Sequence, residues 1–409
     1  IDLKKAFDTV DHQILLRKLE KYGVCGPVLE WFKDYLSGRQ QYVKVNGKKS
    51  TSKTVLCGVP QGSILGPLLF IIYVNDLPDI LDKLEATIFA DDTTLVSYAK
   101  DIDILEATAN QELEVVASWF RKNKLTFNAK KTYYLVFSHE QSHKLRKMNI
   151  EITGKQIEQK DKIKHLGVIF HEHLRWHGHI NHVLSKILKY LPVFSYIRRF
   201  VTRKTLMTIY NSFIYPHLIY CALVWGNRIQ NEGVLDRLLV FQKKLSRIMT
   251  FAPLLQGPKE HAEPLMRKLK MLNIYEVIRY KTLCFVHGLL NGRYPTINLQ
   301  MIYACKLDSL KTRSHDNKKL YTTAYLTSTG YRGVESALQH TWNSLPYELR
   351  DKDEESTLVF KKLIKQHITA KNELSTALNR HLPIKCLNSC CYEYCNFCTP
   401  IGEFKQSDF

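Results

Sequence analysis

The stretch IFADDTTL, residues 88–95, sets Asp91 and Asp92 side by side between apolar-rich runs. Such runs flanking a short polar break predict a hairpin over 84–99, with Ala90, Asp91 and Asp92 at its turn. Neighbouring carboxylates repel, and taking them out of water costs free energy unless a cation compensates. Two acids at a hairpin tip are therefore either a solvated turn, where Asp is common, or part of a metal site. Mg²⁺ takes carboxylate, phosphate and water oxygens. Two such ions about 4 Å apart can activate an attacking hydroxyl and stabilise a leaving pyrophosphate. That chemistry needs a further acid from a neighbouring strand. Asp2, in a strand-like stretch at 1–8, is the candidate.

Outward from the hairpin, the pattern is mixed. Residues 11–23 predict a helix, with Leu15, Leu16 and Leu19 on one face, Asp11 as N-cap and Gly23 as its end. A second helix is predicted over 26–37. Residues 40–58 alternate around Asn46-Gly47 and predict another hairpin. An apolar helix over 63–75 follows a Gly/Pro-rich loop, with Ser63 as N-cap. Asn75 and Asp76 after it read as cap and turn residues. Residues 102–123 predict a long amphipathic helix, and 125–137 and 163–170 predict strands. The fold class is α+β, an antiparallel sheet with helices on one side. After about residue 175 the pattern turns helical, over 177–199, 202–216, 232–250, 262–272 and 274–291. Past 300 it weakens to a turn at Pro346 and one helix in STLVFKKLIKQHIT.

Composition bounds the function. With 45% hydrophobic and 24% charged residues, the 409-residue chain is globular rather than disordered. A net charge of +20 points to a polyanionic partner, most simply nucleic acid. No run reaches the roughly 18–20 apolar residues of a membrane span; the closest, 213–225, carries Pro216 and His217. Cys25, Cys57, Cys221, Cys284 and Cys305 stand singly, as expected in a reducing compartment. Five more cysteines crowd the tail. Cys395 and Cys398 have the C-x-x-C spacing of zinc ligands. Cys391 or Cys390, with His381 or Cys386, completes a set of four, against the alternative of a tail without a metal.

IDLKKAFDTVDH (1–12), GVPQGSILGPLLFIIYVNDL (58–77), the ADD turn, NKLTFNAKKT (123–132) and KHLGVIF (164–170) stand in this order. The series closely resembles the palm motifs of reverse transcriptases, above all those of non-LTR, LINE-type retrotransposons of the Jockey and CR1 kind. It covers about residues 1–250, and extends loosely to about 370 through TWNSLPYELRD and STLVFKKLIKQHI.

The resemblance implies a right-hand polymerase palm over 1–172, a helical thumb over 173–255, a mostly helical region over 256–380 and a Cys-rich tail over 381–409. Because the chain opens inside the first motif, the fingers are expected to be largely missing, and a non-catalytic nucleic-acid-binding remnant is the alternative function. The implied activity is RNA-directed DNA synthesis with an RNA template, a DNA primer and dNTPs. Mg²⁺, or Mn²⁺ in its place, would sit on Asp2, Asp91 and Asp92. Phe7 matches the ring that packs under the incoming sugar and excludes a 2′-hydroxyl. Gly58, Pro60, Gln61 and Gly62 match the loop that meets template and nucleotide. Lys131 matches a lysine near the triphosphate, with Lys130 as its alternative. His165, Leu166 and Gly167 match the primer grip. Lys186, Lys189, Arg198, Arg199, Arg203 and Lys204 are candidates for phosphate contact along the duplex. Zinc on Cys391, Cys395 and Cys398 departs from the spacing of the family's zinc-knuckle-like motif. The implied locations are the cytoplasm and nucleus, with no membrane partner.

Overall fold

The computed structural model describes residues 1–138, 146–226, 233–251, 262–294, 318–322 and 333–378. The chain divides into two compact units, Ile1–Arg175 and Trp176–Phe409.

The first unit mixes helices with short strands. Its helices are α1 (His12–Lys21), α2 (Gly26–Leu36), α3 (Leu65–Val74) and α4 (Ile102–Lys122). Asp11 caps α1 by accepting from Ile14 N at 3.0 Å, and Asp101 caps α4 by accepting from Asp103 N at 2.7 Å. Their apolar faces bury Leu15, Leu19, Phe70, Val116 and Phe120 in one core. Gln40–Gln41 (β1) pairs with Lys53–Thr54 (β4), enclosing the tight pair Lys44–Val45 (β2) and Lys48–Lys49 (β3) around Asn46-Gly47. Glu85–Phe89 (β5) and Asp92–Val96 (β6) form the expected hairpin. Tyr133–Tyr134 (β7) runs parallel to Glu158–Gln159 (β10), and Glu151–Ile152 (β8) pairs with Lys155–Gln156 (β9). Lys162–His165 (β11) pairs with Val168–His171 (β12).

Three expectations change. Residues 1–8 are not a regular strand. Leu3 makes an isolated antiparallel bridge to Phe127, and Ala6–Asp8 is a 3-10 turn. Of 125–137, only Tyr133–Tyr134 pairs as a strand, and 163–170 is part of a hairpin. Among the described residues the sheet consists of two-stranded ladders, one of them parallel, rather than one antiparallel sheet.

The second unit is built from helices: α5 (His177–Leu188), α6 (Tyr190–Ile197), α7 (Arg203–Phe213), α8 (Tyr215–Ile219), α9 (Ala222–Trp225), α10 (Asp236–Thr250), α11 (Ala262–Lys268), α12 (Ile274–Leu290), α13 (Val334–Asn343), α14 (Tyr347–Arg350) and α15 (Thr357–Leu378). The expected helix over 177–199 is broken at Lys189. Pro192 has no N–H to give the carbonyl of residue 188, so the α-helical ladder stops there. α12 opens with a capping box between Asn273 and Glu276. It packs Leu283 and Val286 against Trp342, Phe360 and Ile364. Among the described residues, no helix is long and apolar enough to cross a membrane.

Candidate active site

The first four residues lie between two chain segments distant in sequence. On one side Ile1 N donates to Thr93 O at 2.6 Å, and Thr93 N returns a bond to Ile1 O at 3.2 Å. On the other, Asn128 N donates to Asp2 O at 2.7 Å and Lys4 N to Thr126 O at 2.8 Å. The reciprocal Ile1–Thr93 pair fixes an antiparallel register. Continued by one residue, it sets Asp2 opposite Asp92, and opposed residues share a face. Burial follows this alternation: Leu3 and Thr93 are buried, Asp2 is half-buried and Asp92 is exposed. Asp91 is the second of the two turn residues of the hairpin. The first, Ala90, has φ 54°, in the left-handed region that Ala seldom adopts. The chain thus tolerates local strain to hold the acids at this tip.

Asp2 is also held from behind. Its N–H donates to Thr132 Oγ1 at 3.2 Å, and that hydroxyl donates to Asn128 O at 3.0 Å. Thr132 is buried. Neither residue stands out in the sequence as a functional one, because both act through backbone groups far away along the chain. Lys130 and Lys131, in the same turn, are exposed.

The loop at 57–62 grips the turn after Asp2. Gly58 N donates to Val10 O at 2.7 Å, Val59 N to Phe7 O at 2.8 Å, and His12 Nε2 lies 2.8 Å from Gly58 O. Gly58 has φ 91°, and a Cβ there would come within 2.9 Å of the Asp8 backbone. The glycine is thus required by the turn it packs on, whatever ligand the loop meets. Gln61 donates to Asp8 Oδ1 at 2.8 Å. This gives a role to Asp8, for which the sequence suggests none. Pro60 O accepts from Ser63 Oγ at 2.7 Å, and Gly62 lies exposed in the turn leading to α3. Phe7 is half-buried, its ring 4.6 Å from Phe70 at 32°.

The β11–β12 turn borders the acid face. Thr94 shares a face with Asp92, two residues before it, and its Oγ1 lies 3.3 Å from His165 Nε2. Leu166 and Gly167, with φ 43° and 83°, make the tight turn. Positive φ at both central residues is what a type I′ hairpin needs. Beneath this layer the buried Lys18 donates to Asp76 Oδ1 and to Tyr73 O, both at 2.6 Å. Burial lowers the Lys18 ammonium's pKa despite the Asp76 carboxylate. Asp76 is therefore an ion-pair partner as well as a turn residue. Burial would raise the Asp11 carboxyl's pKa, but Lys124, 2.6 Å away, and the Ile14 N–H hold it below the usual range.

In the second unit, Lys186, Lys189, Arg199, Arg203 and Lys204 are exposed. Arg198 is not available in the same way. It donates to Ile248 O at 3.1 Å and lies over the Phe251 ring. Cys391, Cys395 and Cys398 lie outside the described residues.

The residues fit a hard divalent cation. Asp2, Asp91 and Asp92 offer carboxylate oxygens on adjoining backbone, and none of the three is buried. Mg²⁺ is commonly held by one or two carboxylates plus such oxygens rather than by an all-protein cage. Among the described residues, no group of three or more His, Cys, Asp or Glu side chains is placed so that it could hold a metal ion.

Residues 1–170 match the reverse transcriptase (RNA-dependent DNA polymerase) family. The chain is 28% identical over 265 residues to the RNA-directed DNA polymerase from mobile element jockey of Drosophila melanogaster, covering 62% of this chain and 28% of that protein. Residues 1–170 thus form a domain of the reverse transcriptase family. The probable RNA-directed DNA polymerase from transposon BS, of the same organism, is 28% identical over 267 residues, covering 62% of this chain and 29% of that protein. The probable polymerase from transposon X-element gives 27% over 259 residues, covering 61% and 28%. The chain thus spans less than a third of the length of these relatives. The family generally uses Mg²⁺, a nucleic-acid template and dNTPs.

Proposed function

We propose that this chain is the RNA-directed DNA polymerase of a non-LTR retrotransposon, extending a DNA 3′-hydroxyl on an RNA template with dNTPs. The observation that carries the reading is the register: the Ile1–Thr93 pair brings Asp2 opposite Asp92, with Asp91 at the adjoining tip. Asp2, Asp91 and Asp92 would hold Mg²⁺, or Mn²⁺ in its place. Bound there, the metal supplies positive charge to the attacking hydroxyl and the leaving pyrophosphate.

The chain's own residues do the rest. Thr132 and Asn128 fix the Asp2 backbone. Gln61, steadied by Asp8, meets the template or incoming base through its amide. Phe7, braced by Phe70, limits space at the sugar and favours deoxynucleotides. Lys131 gives a proton to the leaving pyrophosphate. The His165–Gly167 turn holds the primer end beside the acid face. Residues 173–255 form a thumb whose exposed cations follow the duplex phosphates, and 256–380 form the helical region beyond it. By the same family analogy the protein is made in the cytoplasm and acts on nuclear DNA.

Primer extension tests this directly, with an RNA template, a DNA primer, dNTPs and Mg²⁺. Extension by the wild type and none by Asp91→Asn is expected. Duplex binding without extension by the wild type would instead describe a binding protein that has kept the fold.

A further inference from the structure

Lys270, in the turn after α11, Lys281 on α12 and Lys365 on α15 border one cavity of the second unit. Three tyrosines share its lining: Tyr210 from α7, Tyr215 from α8 and Tyr280 from α12. The cavity holds about 240 Å³, and no Asp or Glu is among the described residues that line it. Cations gathered at a concavity repel one another, and its low-dielectric walls focus their field. An anion relieves that repulsion.

Two further observations point the same way. Lys270 has φ 52°, a conformation usual for Gly or Asn, and is pinned there by its N–H to Arg267 O at 2.8 Å. That turn closes the end of α11, with Met271 N donating to Met266 O at 2.9 Å, and fixes the lysine at this rim. The wall formed by α7 and α8 belongs to a segment, 173–231, that contains no Asp or Glu at all. Gln242 Nε2 donates to the Tyr210 hydroxyl at 3.1 Å and steadies that wall. Burial raises the pKa of the Tyr215 and Tyr280 phenols, so both remain protonated donors.

We propose that this cavity is a nucleotide subsite that receives one unpaired nucleotide of an RNA strand, its phosphate among the lysines and its base against the tyrosine rings. Stacking on an aromatic side chain tolerates any base. Asn211, also at the cavity, can hydrogen-bond a base edge. The volume lies below the roughly 300–1,000 Å³ of pockets for drug-sized ligands, which suits a single nucleotide rather than a longer segment. A free nucleoside triphosphate offers the same chemistry. Naming RNA as the source rests on the polymerase reading, whereas the cavity's preference for a phosphate-bearing base does not.

The test uses the full chain and its Lys281→Glu/Lys365→Glu double variant, with Lys281→Gln/Lys365→Gln as a second pair if the first fails to fold. Binding of a labelled single-stranded RNA is followed by fluorescence anisotropy across a salt series. The expected result is about tenfold weaker binding, with the salt slope reduced by about 1 per lysine, while binding to a short blunt RNA–DNA duplex is unchanged. RNA carrying 4-thiouridine is expected to cross-link to peptides containing Tyr215 or Tyr280. Unchanged RNA affinity, or cross-links confined to other peptides, would overturn the proposal. So would displacement of the RNA by polyglutamate at equal charge, which would mark a generic anion patch and a protein partner. ATP that binds in equilibrium dialysis and is lost in the variant, with RNA binding unaffected, would make the source a free nucleotide and refute the RNA assignment. Primer extension run on the same preparation separates the two readings: its absence counts against the polymerase, while the RNA-binding and cross-linking results still decide the cavity.

Discussion

The two units hold their function-bearing residues in opposite ways. In the first, a few acids are placed by backbone bonds joining residues 1–4 to Thr93 and to 126–128. In the second, exposed cations stand along α5, the break at Lys189 and the start of α7, with Lys189 over the Tyr190 ring. The difference matches the two tasks proposed for them. Chemistry at a reacting phosphate fails when a ligand moves by about 1 Å. Attraction to a polyanion acts over about 8–10 Å at ordinary salt and tolerates moving side chains. In the acid-bearing unit the turns next to Asp2 and Asp91 carry positive φ at Lys5 and Ala90.

The largest expected effect falls on the acid side. Asp2→Asn should reduce primer extension on the order of 10³-fold, with thermal stability and duplex binding retained; substantial extension by this variant would remove Asp2 from the site. Next comes Gly58→Ala, where both the backbone angle and the Asp8 contact are violated. A loss of about 2–4 kcal/mol is expected from urea denaturation. A neutral outcome would mean that the loop does not grip the turn as described.

The third sits in the helical unit and concerns pH. His179 is buried beside Trp225, and burial, then the neighbouring His182 and Lys186, push its pKa down to about 4. The unfolded chain binds the proton near pH 6.5 and the folded one only near 4. The contribution is therefore complete above about 6.5 and lost as pH falls toward 4, amounting to about 3 kcal/mol. His179→Gln should flatten the stability profile across that window; an unchanged slope would assign acid sensitivity elsewhere. The smallest effect is Thr132→Val, about 1 kcal/mol from the unpaired Asp2 N–H. It should appear as roughly a tenfold drop in kcat with KM for dNTP little changed, separating a positioning role from a binding one.

Much of this was legible in the sequence, for reasons that can be named. The 84–99 hairpin and the Asn46-Gly47 turn show themselves through local alternation and turn chemistry, α1 through apolar spacing and its Asp11 cap, and α4 through its amphipathic pattern. The order of short motifs exposed the family. What stayed hidden was non-local. Residues 1–4 are held by a few hydrogen bonds to distant segments, which no periodicity records. The Gln61–Asp8 and Thr132–Asp2 bonds join residues that are 53 and 130 positions apart. Arg198 reads like its neighbour Arg199, yet only the fold turns it onto Ile248 O.

The central claim is that Asp2, Asp91 and Asp92 form one cation site across two chain segments. Cleavage by Fe²⁺ bound in place of Mg²⁺ tests it without relying on activity. With ascorbate and peroxide, hydroxyl radicals cut the backbone close to the metal. The account expects cuts in both 1–4 and 89–93, suppressed by excess Mg²⁺ and absent in Asp91→Asn. Cuts in only one of these segments, or a pattern indifferent to Asp91, would contradict it.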